Sequence, residues 1–144
     1  IVATDLSDFT LSMAKEAGAD VAINVAREPD ALDAYKANKG VFDVLYECSG
    51  AQPALVSAIG AVRPGGTILQ LGLGGDMTLP MMSITAKELD LRGSFRFHAE
   101  FATGVALMQR GLIDVRPLIT HTVPLGSRIR CTGVPACQIQ LLLR

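Results

Sequence analysis

Short apolar runs alternate along this chain with segments whose apolar residues recur at helical spacing, and that alternation admits few folds. Ile1-Val2-Ala3-Thr4-Asp5 opens as a strand, followed by a helix through Leu11, Ala14, Lys15 and Ala17 that Gly18 stops. Residues 21–25 read as the next strand, and Pro29-Asp30 start a second helix that runs to about Ala37 and ends at Lys39-Gly40. Val41-Phe42-Asp43-Val44-Leu45-Tyr46 is a buried strand ending at Glu47-Cys48-Ser49-Gly50. In residues 53–62 the positions Ala54, Leu55, Ala58, Ile59 and Val62 form one helical face, and Pro64-Gly65-Gly66 then turns the chain. A strand is predicted at 67–73, running into Gly72-Leu73-Gly74-Gly75, where backbone can approach a ligand closely. A short helix through Lys87, a strand at 89–97 and a helix at 99–110 follow, the last with Phe101, Val105 and Met108 on one face and Gly111 as its stop.

Such βα repetition predicts an α/β doubly wound parallel sheet, and the chain supplies its second to sixth strands. Their usual spatial order, 3-2-1-4-5-6, makes the first strand, absent here with its glycine loop, the central one. The second and fourth strands are therefore expected to pair directly or to leave a seam of unpaired backbone groups, each costing about 1 to 3 kcal/mol if buried dry. Poor stability of the chain by itself follows as an expectation.

In a sheet of this kind ligands bind beyond the carboxyl ends of the strands, where Asp5, Ser49, Gly72 and Arg96 fall. An acid at the end of the second strand can accept hydrogen bonds from an adenosine ribose, and its charge repels the 2′-phosphate of NADP. A strand-end Asp is also a common turn former or helix N-cap. By the same standard Arg96 reads either as an anion-binding group or as a solvated strand-end charge, and Cys48 as a small packed hydrophobe.

Composition removes several classes of function. The formal charge of −1 across 144 residues, with no clustered Lys or Arg, gives no electrostatic case for nucleic acid or an anionic membrane. No apolar run approaches the roughly 18 to 20 residues that span a bilayer. An odd count of 3 cysteines (Cys48, Cys131, Cys137) without a C-x-x-C pair argues for a reducing, cytoplasmic setting. Those cysteines and the 2 histidines, His98 and His121, show no metal-ligand spacing.

Taken together, Val2-Ala3-Thr4-Asp5-Leu6-Ser7, Ala14-Lys15-Glu16-Ala17-Gly18-Ala19-Asp20, Phe42-Asp43-Val44, Glu47-Cys48-Ser49-Gly50, Pro64-Gly65-Gly66 and Gly93-Ser94-Phe95-Arg96-Phe97 resemble the cofactor domain of medium-chain zinc-dependent dehydrogenases. The run from Lys87 to Phe97, with Glu100-Phe101 after it, is most similar to the polyol branch that oxidises idonate and sorbitol. The resemblance covers about residues 1–125 and implies a Rossmann-type NAD-binding domain. It also implies oxidation of a secondary alcohol of a sugar acid or polyol to a ketone, with zinc assistance from ligands outside this chain, and a homo-oligomer, dimer or tetramer.

Carried over by position, the resemblance places Asp5 on the adenosine ribose, Cys48 and Ser49 against the cofactor, and Leu71, Gly72 and Leu73 on the nicotinamide carboxamide. Ser94, Phe95 and Arg96 line the nicotinamide end, with Arg96 reaching toward the substrate. No residue of this chain is assigned a catalytic or metal-binding role. Thr10 stands where sorbitol-type relatives often carry a basic residue beside the ribose, so an adenine-side contact is missing.

From Gly126 onward the chain departs from the family, with Arg128 and Arg130, no acidic residue and a poor helical pattern, although Ile139-Gln140-Leu141 loosely echoes a closing strand. A frame error or degraded gene end would explain residues 126–144 as an atypical tail. Two other readings compete: a non-catalytic remnant, and a Rossmann-like methyltransferase, which shares the strand-end acid and Pro-Gly-Gly but not the Gly93 to Phe97 block.

Overall fold

The computed structural model describes residues 1–119 and 140–144. They form two compact units, of which the first holds residues 1–94 and the closing residues 140–144, and the second begins at Phe95. In the first unit, strands β1 (Val2–Asp5), β2 (Val21–Asn24), β3 (Phe42–Glu47), β4 (Val62–Gln70), β5 (Asp90–Gly93) and β6 (Gln140–Leu143) make one six-stranded sheet. Its order is β2-β1-β6-β3-β4-β5.

β1 to β5 stand in the predicted order, and every pairing among them is parallel. Neither expected outcome holds: β1 and β3 do not pair directly, and no open seam lies between them. β6 enters between β1 and β3 and runs antiparallel to both, with Leu142 opposite Val2 on one side and Leu45 on the other. The chain's own closing residues thus supply the partners that the facing edges of β1 and β3 require. Of the echo at residues 139–141, Gln140 and Leu141 do begin strand β6, but that strand lies inside the sheet and not at its margin; Ile139 and the preceding tail from residue 126, with Cys131 and Cys137, lie outside the described residues, as does His121.

Helix α1 (Asp8–Glu16) starts where Ser7 caps it, the Ser7 hydroxyl accepting from the Thr10 amide at 3.4 Å. It buries Leu11 and Ala14, and Gly18 follows at φ +104°, a left-handed turn that suits glycine. Helix α2 (Gln52–Ile59) carries Pro53 in its first turn and buries Leu55, Ala58 and Ile59. It ends earlier than the periodicity suggested, because Val62 belongs to β4. Likewise β4 ends at Gln70 and β5 at Gly93, short of the predicted 73 and 97.

The helix predicted from Pro29 to Ala37 is instead two short 3₁₀ turns, Ala31–Tyr35 and Ala37–Lys39. Only Leu32 is buried there, so no apolar stripe holds a longer helix, and Asn38 and Lys39 adopt left-handed φ of 53° and 69°. Helix α3 (Met81–Ala86) packs Ile84 inward, and one core of Val2, Ile23, Phe42, Leu45, Leu55, Ile59, Val62, Ile68, Ile84 and Leu142 unites the unit.

The second unit holds helix α4 (Glu100–Gln109) and a 3₁₀ turn, Arg116–Leu118. The face predicted from Phe101, Val105 and Met108 forms, yet no residue of α4 is buried, Phe101 being 55% exposed.

Candidate functional site

Residues opposite one another in neighbouring strands share a face, so the register lays out the site in rows. One row, Val2, Leu142, Leu45 and Ile68, is apolar and closed to solvent. Two residues along each strand, toward the carboxyl ends of the parallel strands, the row changes to Thr4, Gln140, Glu47 and Gln70. Four neighbouring strands therefore end in a polar stripe across one face, beginning where the apolar core stops.

Hydrogen bonds satisfy the stripe only in part. Thr4 Oγ1 donates to Gln140 Oε1 at 3.3 Å, and Gln70 Nε2 donates both to Glu47 Oε2 at 2.5 Å and to the Gly72 carbonyl at 2.9 Å. Gln140 Nε2, Gln70 Oε1 and Asp5 Oδ2 are buried without a partner among the described residues. Unmet polar atoms in a protein interior are uncommon and costly, so three at one end of a sheet mark it as built for more than packing.

Glu47 organises the turns at that end. It is 0% exposed, and its carboxylate accepts from the amides of Ser49 at 2.8 Å and Gly50 at 3.0 Å and from the Ser49 hydroxyl. Its own carbonyl accepts from the amides of Leu71 and Gly72, both at 2.8 Å. One residue thus ties the turn after β3 to the loop after β4. These loops touch backbone to backbone: a Cβ on Gly72 would stand 2.0 Å from the Gly50 nitrogen, and one on Gly74 would stand 1.6 Å from the Gly50 oxygen. Only glycine allows that approach.

Of the sequence-predicted residues, Cys48, Ser49, Leu71, Gly72 and Leu73 sit on these two loops. Leu73 is 76% exposed, so the shelf is open to solvent. Ser94 joins it through its amide, which donates to the Gln70 carbonyl at 2.9 Å. Asp5 ends β1, its Oδ1 accepting from the Ser7 amide at 2.7 Å, so it shapes the entry to α1 while Ser7 caps the helix. The other oxygen of Asp5 is an acceptor that lacks a donor; at 4% exposure, a hydroxyl reaches it only when its cover shifts.

Phe95 and Arg96 belong to the second unit, where the Arg96 guanidinium lies 5.0 Å from the Phe95 ring centroid and Arg96 takes a left-handed φ of 63°. A cleft of about 300 Å³ in the first unit lies elsewhere, between Asp8, Leu11 and Lys15 of α1 and Asn24, Arg27 and Glu28, and no predicted site residue lines it.

Sequence reasoning did not single out Glu47, Gln70 or Gln140. The available signal was a polar residue ending an apolar strand, as in Phe42 to Glu47 and Thr67 to Gln70. Its meaning depends on register, which joins residues 4, 47, 70 and 140 into one row.

The family profile described as zinc-binding dehydrogenase matches residues 1–110. The chain belongs to the zinc-binding dehydrogenase family. This zinc-binding dehydrogenase segment is 40% identical over 148 aligned residues to L-idonate 5-dehydrogenase (NAD(P)(+)) of Escherichia coli K12, covering 99% of the chain and 43% of that relative. It is 34% identical to human sorbitol dehydrogenase over 90% of the chain and 37% of the relative. The chain thus spans less than half the length of these curated relatives. Among solved structures, L-idonate 5-dehydrogenase of E. coli K-12 superposes with a TM-score of 0.77 at 44% identity, covering 82% of this chain and 34% of that one. A dehydrogenase of E. coli CFT073, solved with NADH, superposes at 0.70 with 30% identity, covering 85% and 36%.

The described residues do not fit the family's metal. Among the described residues no group of three or more His, Cys, Asp or Glu side chains is placed to hold one. They do fit a nucleotide, since the orphaned Asp5 oxygen calls for a hydroxyl donor and the Leu73-Gly74-Gly75 loop, held by close packing of Gly72 and Gly74 on Gly50, leaves backbone exposed. Among the described residues no helix is long and apolar enough to cross a membrane.

Proposed function

We propose that residues 1–125 are the nucleotide-binding part of an NAD-dependent oxidoreductase that oxidises a secondary alcohol of L-idonate or a related polyol to a ketone. NAD, when bound, supplies the hydride acceptor. This chain's own residues bind and orient it. Asp5 accepts from the adenosine ribose and disfavours a 2′-phosphate, while Cys48 and Ser49 border the cofactor. The Leu71–Gly72–Leu73 backbone meets the carboxamide. Ser94, Phe95 and Arg96 are assigned to the nicotinamide end by resemblance, with Arg96 suited to an aldonate carboxylate.

The observation that carries the reading is the set of unmet buried polar atoms at the carboxyl end of the sheet: Gln70 Oε1 and Gln140 Nε2 in the polar stripe, and Asp5 Oδ2 beside it at the end of β1. Titration of the purified chain with NAD and NADP by calorimetry tests it. NAD should bind in preference to NADP, and Asp5→Ala should remove the preference. No heat with either nucleotide would refute nucleotide binding by this chain.

We further propose a cytoplasmic homo-oligomer that pairs through β5, which is hydrogen-bonded on one side by β4 and exposed along its length. Light scattering showing a monomer at tens of micromolar would count against it.

A further inference from the structure

Glu47 holds a carboxylate out of water at 0% exposure, and every hydrogen bond described for it comes from a neutral donor: the Ser49 amide and hydroxyl, the Gly50 amide and the Gln70 carboxamide. Among the described residues no Lys, Arg or His forms an ion pair with it. Dipoles moderate such a charge but do not cancel it, and in a poorly solvated site its field reaches several ångströms.

That field emerges at the shelf. A Cβ on Gly72 would lie 2.6 Å from Glu47 Oε2, so the carboxylate stands directly behind the Gly72 backbone. The reading above seats the nicotinamide carboxamide on that backbone, and the oxidised ring carries a positive charge that the reduced ring lacks. We infer that Glu47 sets the redox preference of the site, its buried charge favouring the oxidised nicotinamide over the reduced one; this rests on the nucleotide-binding reading. Glu47 thereby has a role distinct from tying the two loops together, because loop geometry acts on both cofactor forms alike and charge does not.

The test is a pair of titrations, NAD⁺ and NADH, on the purified chain and its variants, scored as the ratio of the two dissociation constants. Glu47→Gln removes the charge with little change of size and should lower the affinity for NAD⁺ relative to NADH by about tenfold, the order expected for a unit charge several ångströms away at protein-like screening. Gln70→Met removes the side-chain donor at Oε2 and leaves the Gly50 amide there, so the charge is less moderated and the ratio should move a few-fold the other way. If Glu47→Gln weakens both forms equally, the inference fails while nucleotide binding stands. Should Glu47→Gln not fold, Gln70→Met decides, and an unchanged ratio overturns the inference. Failure of the unsubstituted chain to bind either form refutes the nucleotide-binding reading and this inference with it.

Discussion

Replacing Leu142 by Ala tests whether the closing residues hold the sheet together in solution. Leu142 is 0% exposed, stands between Val2 and Leu45 in register and belongs to the central cluster with them. Truncating a fully buried leucine costs about 2 to 5 kcal/mol, from lost transfer energy and the cavity left behind. Against a typical domain stability of about 5 to 15 kcal/mol, that is a large fraction of the total. With a urea dependence of about 1.5 kcal/mol per molar, a loss near 3 kcal/mol lowers the midpoint by about 2 M. Strand periodicity provides an internal control: Leu141 is half-buried on the opposite face, so Leu141→Ala should cost less. Urea unfolding followed by far-ultraviolet circular dichroism reads both. If Leu142→Ala unfolds within about 0.5 kcal/mol of the parent, or no more easily than Leu141→Ala, then β6 does not occupy the interior of the sheet and the seam between β1 and β3 is real.

Three further outcomes follow from the same geometry. Gly74→Ala drives a Cβ to 1.6 Å from the Gly50 oxygen, so the two loops must part; nucleotide affinity, measured by calorimetry, should fall at least tenfold while the far-ultraviolet spectrum is kept. Lys87 donates to the carbonyls of Ile59, Gly60 and Val62 at 3.2, 2.8 and 2.8 Å, closing the end of α2, and burial lowers its pKa; Lys87→Met should cost about 1 to 3 kcal/mol in urea, and no measurable loss would show the contacts to be idle. The side-chain hydrogen bond from Arg116 lowers the pKa of Asp114 from 3.8 to about 2. A carboxylate with a depressed folded pKa contributes above its unfolded value and loses that contribution as pH falls through the folded one, so the Asp114–Arg116 turn should loosen between about pH 4 and pH 2. Carboxyl titration by nuclear magnetic resonance checks this, and an Asp114 midpoint near 3.8 would contradict it.

Element type and strand order were legible because they depend on local pattern. Alternating apolar runs and glycine stops give a parallel sheet, and β1 to β5 follow the doubly wound order. The second helix was misread because Pro29-Asp30 is a start signal without the apolar stripe that sustains a helix: Leu32 alone is buried. The place of β6 was not legible either, since a strand's neighbours are set by which edges remain open, and Gln140-Leu141-Leu142-Leu143 carries no mark of an antiparallel partner on each side.

The candidate site divides along the same line. Asp5, Ser49 and Gly72 were readable as strand-end and turn chemistry, each from its immediate neighbours. Glu47 was not, because its importance comes from Gly50, Leu71 and Gly72, which lie in one turn and the next strand's loop, and from a row completed by residue 140. That row also explains why the site sits where it does. A sheet interior tolerates Val2, Leu142, Leu45 and Ile68, which need no partners. Two residues further along, the strands end, loop amides point back at the sheet and a buried carboxylate can be held by them. Amides that would otherwise lack acceptors and a carboxylate that would otherwise lack donors are stable together at this end of the sheet because each satisfies the other.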